Sequence, residues 1–70
     1  MTAPTTASWQ VVGMTCGHCV SAVREELAGL AGVRSVDVEL ESGRVTVASD
    51  RPLLRESVAA AIEEAGYQLA

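Results

Sequence analysis

Three short stretches of the chain alternate apolar and polar side chains, which is the pattern of β-strands with one buried face. The first begins at Trp9 and ends before Gly13, with Trp9 and Val11 on one side. The second and third are joined by a turn at residues 41–43, which ends in a glycine that can adopt a positive φ. A final short strand is expected over residues 67–69. The apolar positions of the second and third stretches are Val36, Val38 and Leu40, and Val45 and Val47.

Two longer stretches repeat their apolar residues at helical spacing. The first is expected to run from about Gly17 to Ala28. Asp50 or a close neighbour is expected to cap the second helix, with Pro52 in its first turn and Gly66 at its end. The apolar stripes of the two helices are Val20, Val23, Leu27 and Leu30, and Leu54, Val58, Ala61, Ile62 and Ala65.

The resulting order of elements is βαββαβ. It predicts an α+β fold of the ferredoxin-like class, with a four-stranded antiparallel sheet and two helices on one face. Right-handed crossovers lead us to expect the last strand at a sheet edge beside the second strand, with the first strand on the other side of the hairpin. The loop after the first strand is then expected near Gly66 and Tyr67. Residues 1–8 are expected to form a flexible tail, and residues 9–70 a single domain.

Composition narrows the range of functions. The 70 residues carry a net charge of −4 and scattered arginines, so a nucleic-acid partner, which needs a basic face, is not expected. No apolar run is long enough to span a bilayer, and the first eight residues lack the features of a secretory signal. We therefore expect a soluble, cytoplasmic protein with no membrane insertion. The sequence shows neither a nucleophile with a positioned base nor a glycine-rich phosphate loop, which favours a protein that is not an enzyme.

The chemistry of the chain is concentrated at Cys16 and Cys19, its only two cysteines, where the first strand passes into the first helix. Cytosolic reductants keep such thiols reduced, and a disulfide across so short a loop would constrain little of the unfolded chain. Thiolates select soft ions, and Cu(I) accepts as few as two ligands, whereas zinc usually takes four protein ligands or three and a water. Cys19 is expected in the first turn of the helix, where the helix dipole stabilises a thiolate. The pair therefore predicts Cu(I) binding, with a redox dithiol as the alternative.

The segment Gly13-Met14-Thr15-Cys16-Gly17-His18-Cys19-Val20 resembles the G-M-x-C-x-x-C signature of the heavy-metal-associated domain family. The resemblance extends from about Trp9 to Leu69 and is greatest to the bacterial copper chaperones, which carry a tyrosine after the second helix. It implies a ferredoxin-like fold, Cu(I) held by Cys16 and Cys19, and delivery of copper to the cytosolic metal-binding domains of a copper-transporting P-type ATPase. The residue directly before the first cysteine is threonine, where some zinc-exporting relatives carry an acidic residue, which disfavours zinc.

Three neighbouring side chains have alternative roles. The resemblance implies that Met14 packs beneath the metal loop, and the alternative is a soft third ligand. His18 is a solvated residue, an electrostatic neighbour of the thiols, or an additional ligand when two molecules share copper in a bridged homodimer. The resemblance also implies that Tyr67 lies close to the site, where it either donates a hydrogen bond towards a thiolate or covers the end of the sheet.

Together these features predict a soluble Cu(I) metallochaperone that hands copper by thiolate exchange to a copper-transporting P-type ATPase. An N-terminal metal-binding domain cut from such an ATPase would have the same site chemistry. The start at Met1 and the absence of a linker favour the free-standing carrier. A carrier of another soft metal, such as mercury or cadmium, and a thiol oxidoreductase are the remaining alternatives.

Overall fold

The computed structural model describes residues 5–15 and 17–70, and its elements follow the predicted βαββαβ order. They are β1 (Thr5–Val12), α1 (Gly17–Ala28), β2 (Val33–Glu39), β3 (Arg44–Ser49), α2 (Arg55–Glu64) and β4 (Gln68–Leu69). All strand pairs are antiparallel. The predicted ferredoxin-like α+β class is therefore confirmed, and α1 has the predicted bounds. No helix in the described ranges has the length and apolar character that a bilayer crossing requires.

The strands lie in the order β2-β3-β1-β4, so β4 pairs with β1. The prediction that the last strand lies beside β2 was wrong: Val11 lies opposite Leu69, and Val12 opposite Gln68. Each helix connects strands that are two positions apart in the sheet. Two strand spacings make about 9.6 Å, which matches the roughly 10 Å width of a helix packed on the sheet. Apolar alternation shows which face of a strand is buried, but it does not show which strand lies beside it.

The hydrophobic core lies between the two helices and one face of the sheet. Its buried members come from β1, β3 and both helices and are Val11, Val23, Leu27, Val45, Val47, Val58, Ala61 and Ile62. The opposite face of β1 is exposed, which confirms the predicted alternation in that strand. Leu40 was predicted to continue the second strand, but β2 ends at Glu39 and Leu40 is 37% exposed in the following turn.

β1 begins at Thr5, so the prediction of a flexible tail over residues 1–8 was wrong for residues 5–8. These residues continue the ladder with β3, from Thr5 opposite Ser49 to Ser8 opposite Thr46. Their small side chains do not alternate between apolar and polar types, so this part of the strand has no apolar pattern. Their backbone groups can nevertheless pair like those of any other strand. Residues 1–4 of the expected tail lie outside the described residues.

The turn between β2 and β3 requires glycine at position 43. Gly43 is buried with a φ of +75°, and its carbonyl accepts a hydrogen bond of 2.8 Å from the Val11 N–H. A Cβ at this position would lie 2.5 Å from the Val11 carbonyl oxygen, a distance that backbone atoms cannot tolerate. The turn therefore packs directly against the end of β1 from which the loop to α1 departs.

The start of α2 differs from the prediction. Leu54 occupies the N-cap position without a capping hydrogen bond from its side chain, and it is 70% exposed rather than part of the apolar stripe. Asp50 does not cap the helix, because the helix begins five residues later and the Asp50 carboxylate pairs with the Arg34 guanidinium. Pro52 consequently precedes α2 instead of lying in its first turn.

Candidate metal centre

The loop between β1 and α1 lies at the same end of the sheet as the β2–β3 turn and the connection from α2 to β4. Gly13 leaves β1 with a φ of +98°, and a Cβ at this position would lie 3.3 Å from the Tyr67 Cδ1 atom. The predicted proximity of this loop to Tyr67 is therefore confirmed. The structural cause differs from the predicted one: Tyr67 lies near the loop because β4, which follows it, pairs with β1.

The C-terminal cap of α2 fixes the position of Tyr67. Gly66 has a φ of +94°, its N–H donates to the Glu63 carbonyl at 2.9 Å, and the Tyr67 N–H donates to the Ile62 carbonyl at 3.1 Å. These two bonds form a Schellman motif, in which a left-handed glycine reverses the chain and lets the next residue pack back on the helix. Tyr67 is half-buried against the core. This position agrees with the interpretation that the ring covers the sheet end beside the loop.

Cys19 lies in the first turn of α1, as predicted, and only 6% of its surface is exposed. It belongs to one helical stripe with Val23 and Leu27, at spacings of four residues, and all three face the core. The N-terminal turn of a helix favours a thiolate because its backbone N–H groups point outwards and the helix dipole is positive there. Cys19 therefore combines a position in the first helical turn with burial against the core.

Thr15 contacts the Cys19 sulfur from the loop. The Thr15 N–H donates a hydrogen bond to Cys19 Sγ at 3.4 Å, and the Thr15 hydroxyl oxygen lies 3.9 Å from the same sulfur. Backbone and side chain of one residue thus converge on a single sulfur. Sequence reasoning missed this role of Thr15. No signal in the sequence indicated it, because Thr15 precedes α1 and its contact with Cys19 depends on the path of the loop.

Met14 and His18 differ in their burial. Met14 is half-buried and packs against the core cluster, which favours the packing role over ligation. His18 is exposed at the second position of α1, whereas Cys19 beside it is buried. The structure therefore does not bring the His18 side chain onto the buried face that holds the Cys19 sulfur.

Cys16, the other predicted ligand, lies outside the described residues, and its role remains a prediction. Within residues 5–15 and 17–70, the structure contains no group of three or more His, Cys, Asp and Glu side chains placed to hold a metal ion.

The fold and this loop can be compared with known proteins. A profile of the heavy-metal-associated domain family matches residues 9–68, which include the loop, Cys19 and Tyr67. The chain belongs to the heavy-metal-associated domain family. This heavy-metal-associated domain is 45% identical over 62 residues to the copper chaperone CopZ of Bacillus subtilis, an alignment that covers 87% of this chain and 90% of the relative.

Solved structures give the same result for the fold of this heavy-metal-associated domain. A structure of a CopZ metallochaperone has a TM-score of 0.85 and 40% identity, and the match covers 94% of this chain and all of the other. A crystal structure of a copper-binding domain from HMA7, a P-type ATPase, has a TM-score of 0.84 and 30% identity over 93% of this chain and 89% of that chain. The same fold thus occurs in a metallochaperone and in a domain of an ATPase.

Proposed function

We propose that this protein is a metallochaperone that binds Cu(I) between Cys16 and Cys19 and hands it to a copper-transporting P-type ATPase. The observation that carries the proposal is the Cys19 sulfur, held by Thr15 in the first turn of α1 within a Cys-x-x-Cys segment of a heavy-metal-associated domain. The name of the relative at 45% identity, a copper chaperone, supports copper as the cargo. We expect transport of an ion and no enzymatic catalysis.

Cu(I) fits this donor set better than zinc does. Thiolates are soft ligands that favour Cu(I), and two of them are enough to hold it. Zinc sites in proteins usually take three or four protein ligands. The described residues contribute no such group of His, Cys, Asp and Glu side chains. A mercury or cadmium carrier would use the same two sulfurs, and the copper chaperones among the relatives favour copper over these ions.

Transfer proceeds in this proposal by ligand exchange without a change in oxidation state. A cysteine of the acceptor loses its proton and forms a bond to Cu(I), which becomes three-coordinate. The bond from copper to one donor sulfur then breaks, the electron pair stays on that sulfur, and the sulfur takes up a proton. A second cysteine of the acceptor repeats this exchange with the other donor sulfur, so that copper ends between two acceptor sulfurs. Because Cys19 is 6% exposed, we propose that the acceptor approaches from the side of Cys16 and that the Cys19 bond breaks last.

The P-type ATPase is the proposed acceptor because its copper-binding domain has the same fold. Two domains of one family can present matched cysteine loops to a shared ion, and the proposed site of this exchange is the cytoplasm. The second candidate function of this chain is that of a metal-binding domain of an ATPase. It is supported by the same structural similarity, at 30% identity. The higher identity of 45% to a copper chaperone favours the carrier.

A transfer experiment tests the proposal. The Cu(I)-loaded protein is mixed anaerobically with the copper-free cytosolic domain of a copper-transporting P-type ATPase, and the copper on each is measured after rapid separation. We expect copper to reach the acceptor much faster than it is lost to a non-thiol chelator of similar affinity. An acceptor whose two cysteines are replaced by serine is the control. Transfer no faster than loss to the chelator would contradict direct exchange.

A further inference from the structure

Thr15 occupies a position that the proposed function does not by itself explain. It is joined by a peptide bond to Cys16, and both its N–H and its hydroxyl approach Cys19 Sγ, at 3.4 and 3.9 Å. One residue is therefore linked covalently to one proposed ligand and by hydrogen bonding to the other. This contact joins Thr15 to Cys19 and does not depend on the metal.

The burial of Cys19 gives weight to this contact. A polar or charged group that is taken out of water needs hydrogen-bond partners inside the protein. Cys19 is 6% exposed, so water has little access to its sulfur, and Thr15 supplies donors from the loop. The backbone N–H donates only, whereas a hydroxyl both donates and accepts. The Thr15 hydroxyl can therefore stay in contact with the sulfur as a thiol and as a metal-bound thiolate.

We infer that Thr15 is a positioning residue, whose hydroxyl holds the Cys19 sulfur in place for a soft monovalent metal ion and slows release of that ion. This inference rests on the proposed function, since it assumes that Cys19 binds the metal. Hydrogen-bonding partners of metal ligands typically change metal affinity by about 10- to 100-fold when they are removed. The lower end of this range is expected for Thr15, because its N–H stays in place whichever side chain is present.

Two variants separate the effect of the Thr15 hydroxyl group from that of the rest of the side chain. Thr15→Val keeps the shape and the backbone N–H but lacks the hydroxyl, and Thr15→Ser keeps the hydroxyl but lacks the methyl group. Anaerobic competition with a chromophoric Cu(I) chelator is expected to show an affinity about tenfold lower for Thr15→Val, mainly through faster release, and wild-type affinity for Thr15→Ser. Circular dichroism checks that both variants fold.

A second measurement uses the reduced, metal-free protein. Three-bond couplings between the Hα and Hβ atoms of Cys19, measured by NMR, report whether its side chain occupies one rotamer. We expect a single rotamer in the wild type and in Thr15→Ser, and averaging in Thr15→Val. A variant that is merely destabilised would not follow this pattern of loss and rescue.

The outcomes separate this inference from the proposed function. Equal Cu(I) affinity of wild type and Thr15→Val would overturn the role of Thr15 while leaving the metallochaperone intact. A loss of affinity in both variants would also overturn it, because the hydroxyl would then not be the group that matters. An unchanged Cys19 rotamer in Thr15→Val would refute positioning as the cause. A wild type that does not bind Cu(I) would overturn both proposals.

Discussion

Replacing either cysteine by serine is expected to lower the Cu(I) affinity of the protein by more than about 1,000-fold, which corresponds to about 4 kcal/mol. Serine offers a hard oxygen donor that stays protonated near neutral pH, so a soft ion gains little from it. The remaining thiolate would have to share the ion with solvent or with a second molecule. Anaerobic competition with a chromophoric Cu(I) chelator measures the affinities of Cys16→Ser and Cys19→Ser against the wild type.

His18→Ala is the matched control for this experiment, since it changes the residue beside Cys19 without removing a sulfur. His18 is exposed whereas Cys19 is buried, so we expect its replacement to change the affinity by less than about tenfold. Wild-type affinity in either cysteine variant would contradict the two-sulfur site. A loss in His18→Ala as large as in the serine variants would make the histidine a ligand and would also contradict it.

Leu27→Ala is expected to destabilise the fold by about 3 kcal/mol, which is a large share of the roughly 5 kcal/mol typical of so small a domain. Leu27 is completely buried in the core on α1, and truncation would leave a cavity between the helix and the sheet. The melting temperature should fall by roughly 12 to 24 °C. Because α1 also carries Cys19, we expect Cu(I) affinity to weaken as the helix loosens.

Leu54→Ala makes the same chemical change at a residue that is 70% exposed, and it serves as the control. We expect its melting temperature to stay within about 4 °C of the wild type, since little apolar surface is lost from the core. Thermal unfolding followed by circular dichroism measures both variants. Equal shifts for the two variants would contradict the placement of Leu27 inside the core and of Leu54 outside it.

The sequence predicted the parts of the fold that depend on local pattern. The bounds of α1 were predicted correctly because its apolar period is strong from Val20 onwards. The strand order was not predicted correctly. It depends on which strands pair with each other, and no local sequence pattern shows that pairing. The start of β1 at Thr5 was missed for a related reason: its pairing with Ser49 is a long-range contact made by small polar residues.

At the candidate site, the motif indicated the residue types and the structure added their surroundings. The proximity of Tyr67 to the loop was predicted from the chain topology and is confirmed, although the predicted strand neighbour was wrong. The burial of Cys19 could have been predicted, because it precedes Val23 and Leu27 at intervals of four residues. The hydrogen bond from Thr15 could not, because the motif leaves that position open and the contact depends on the path of the loop.

X-ray absorption at the copper edge, on the wild-type protein loaded anaerobically with one equivalent of Cu(I), tests the two-sulfur site most directly. The spectrum reports the kind and number of atoms bound to the metal. We expect a first coordination shell of sulfur donors, two per copper ion in the monomer. A shell dominated by nitrogen or oxygen donors would contradict Cu(I) binding between Cys16 and Cys19.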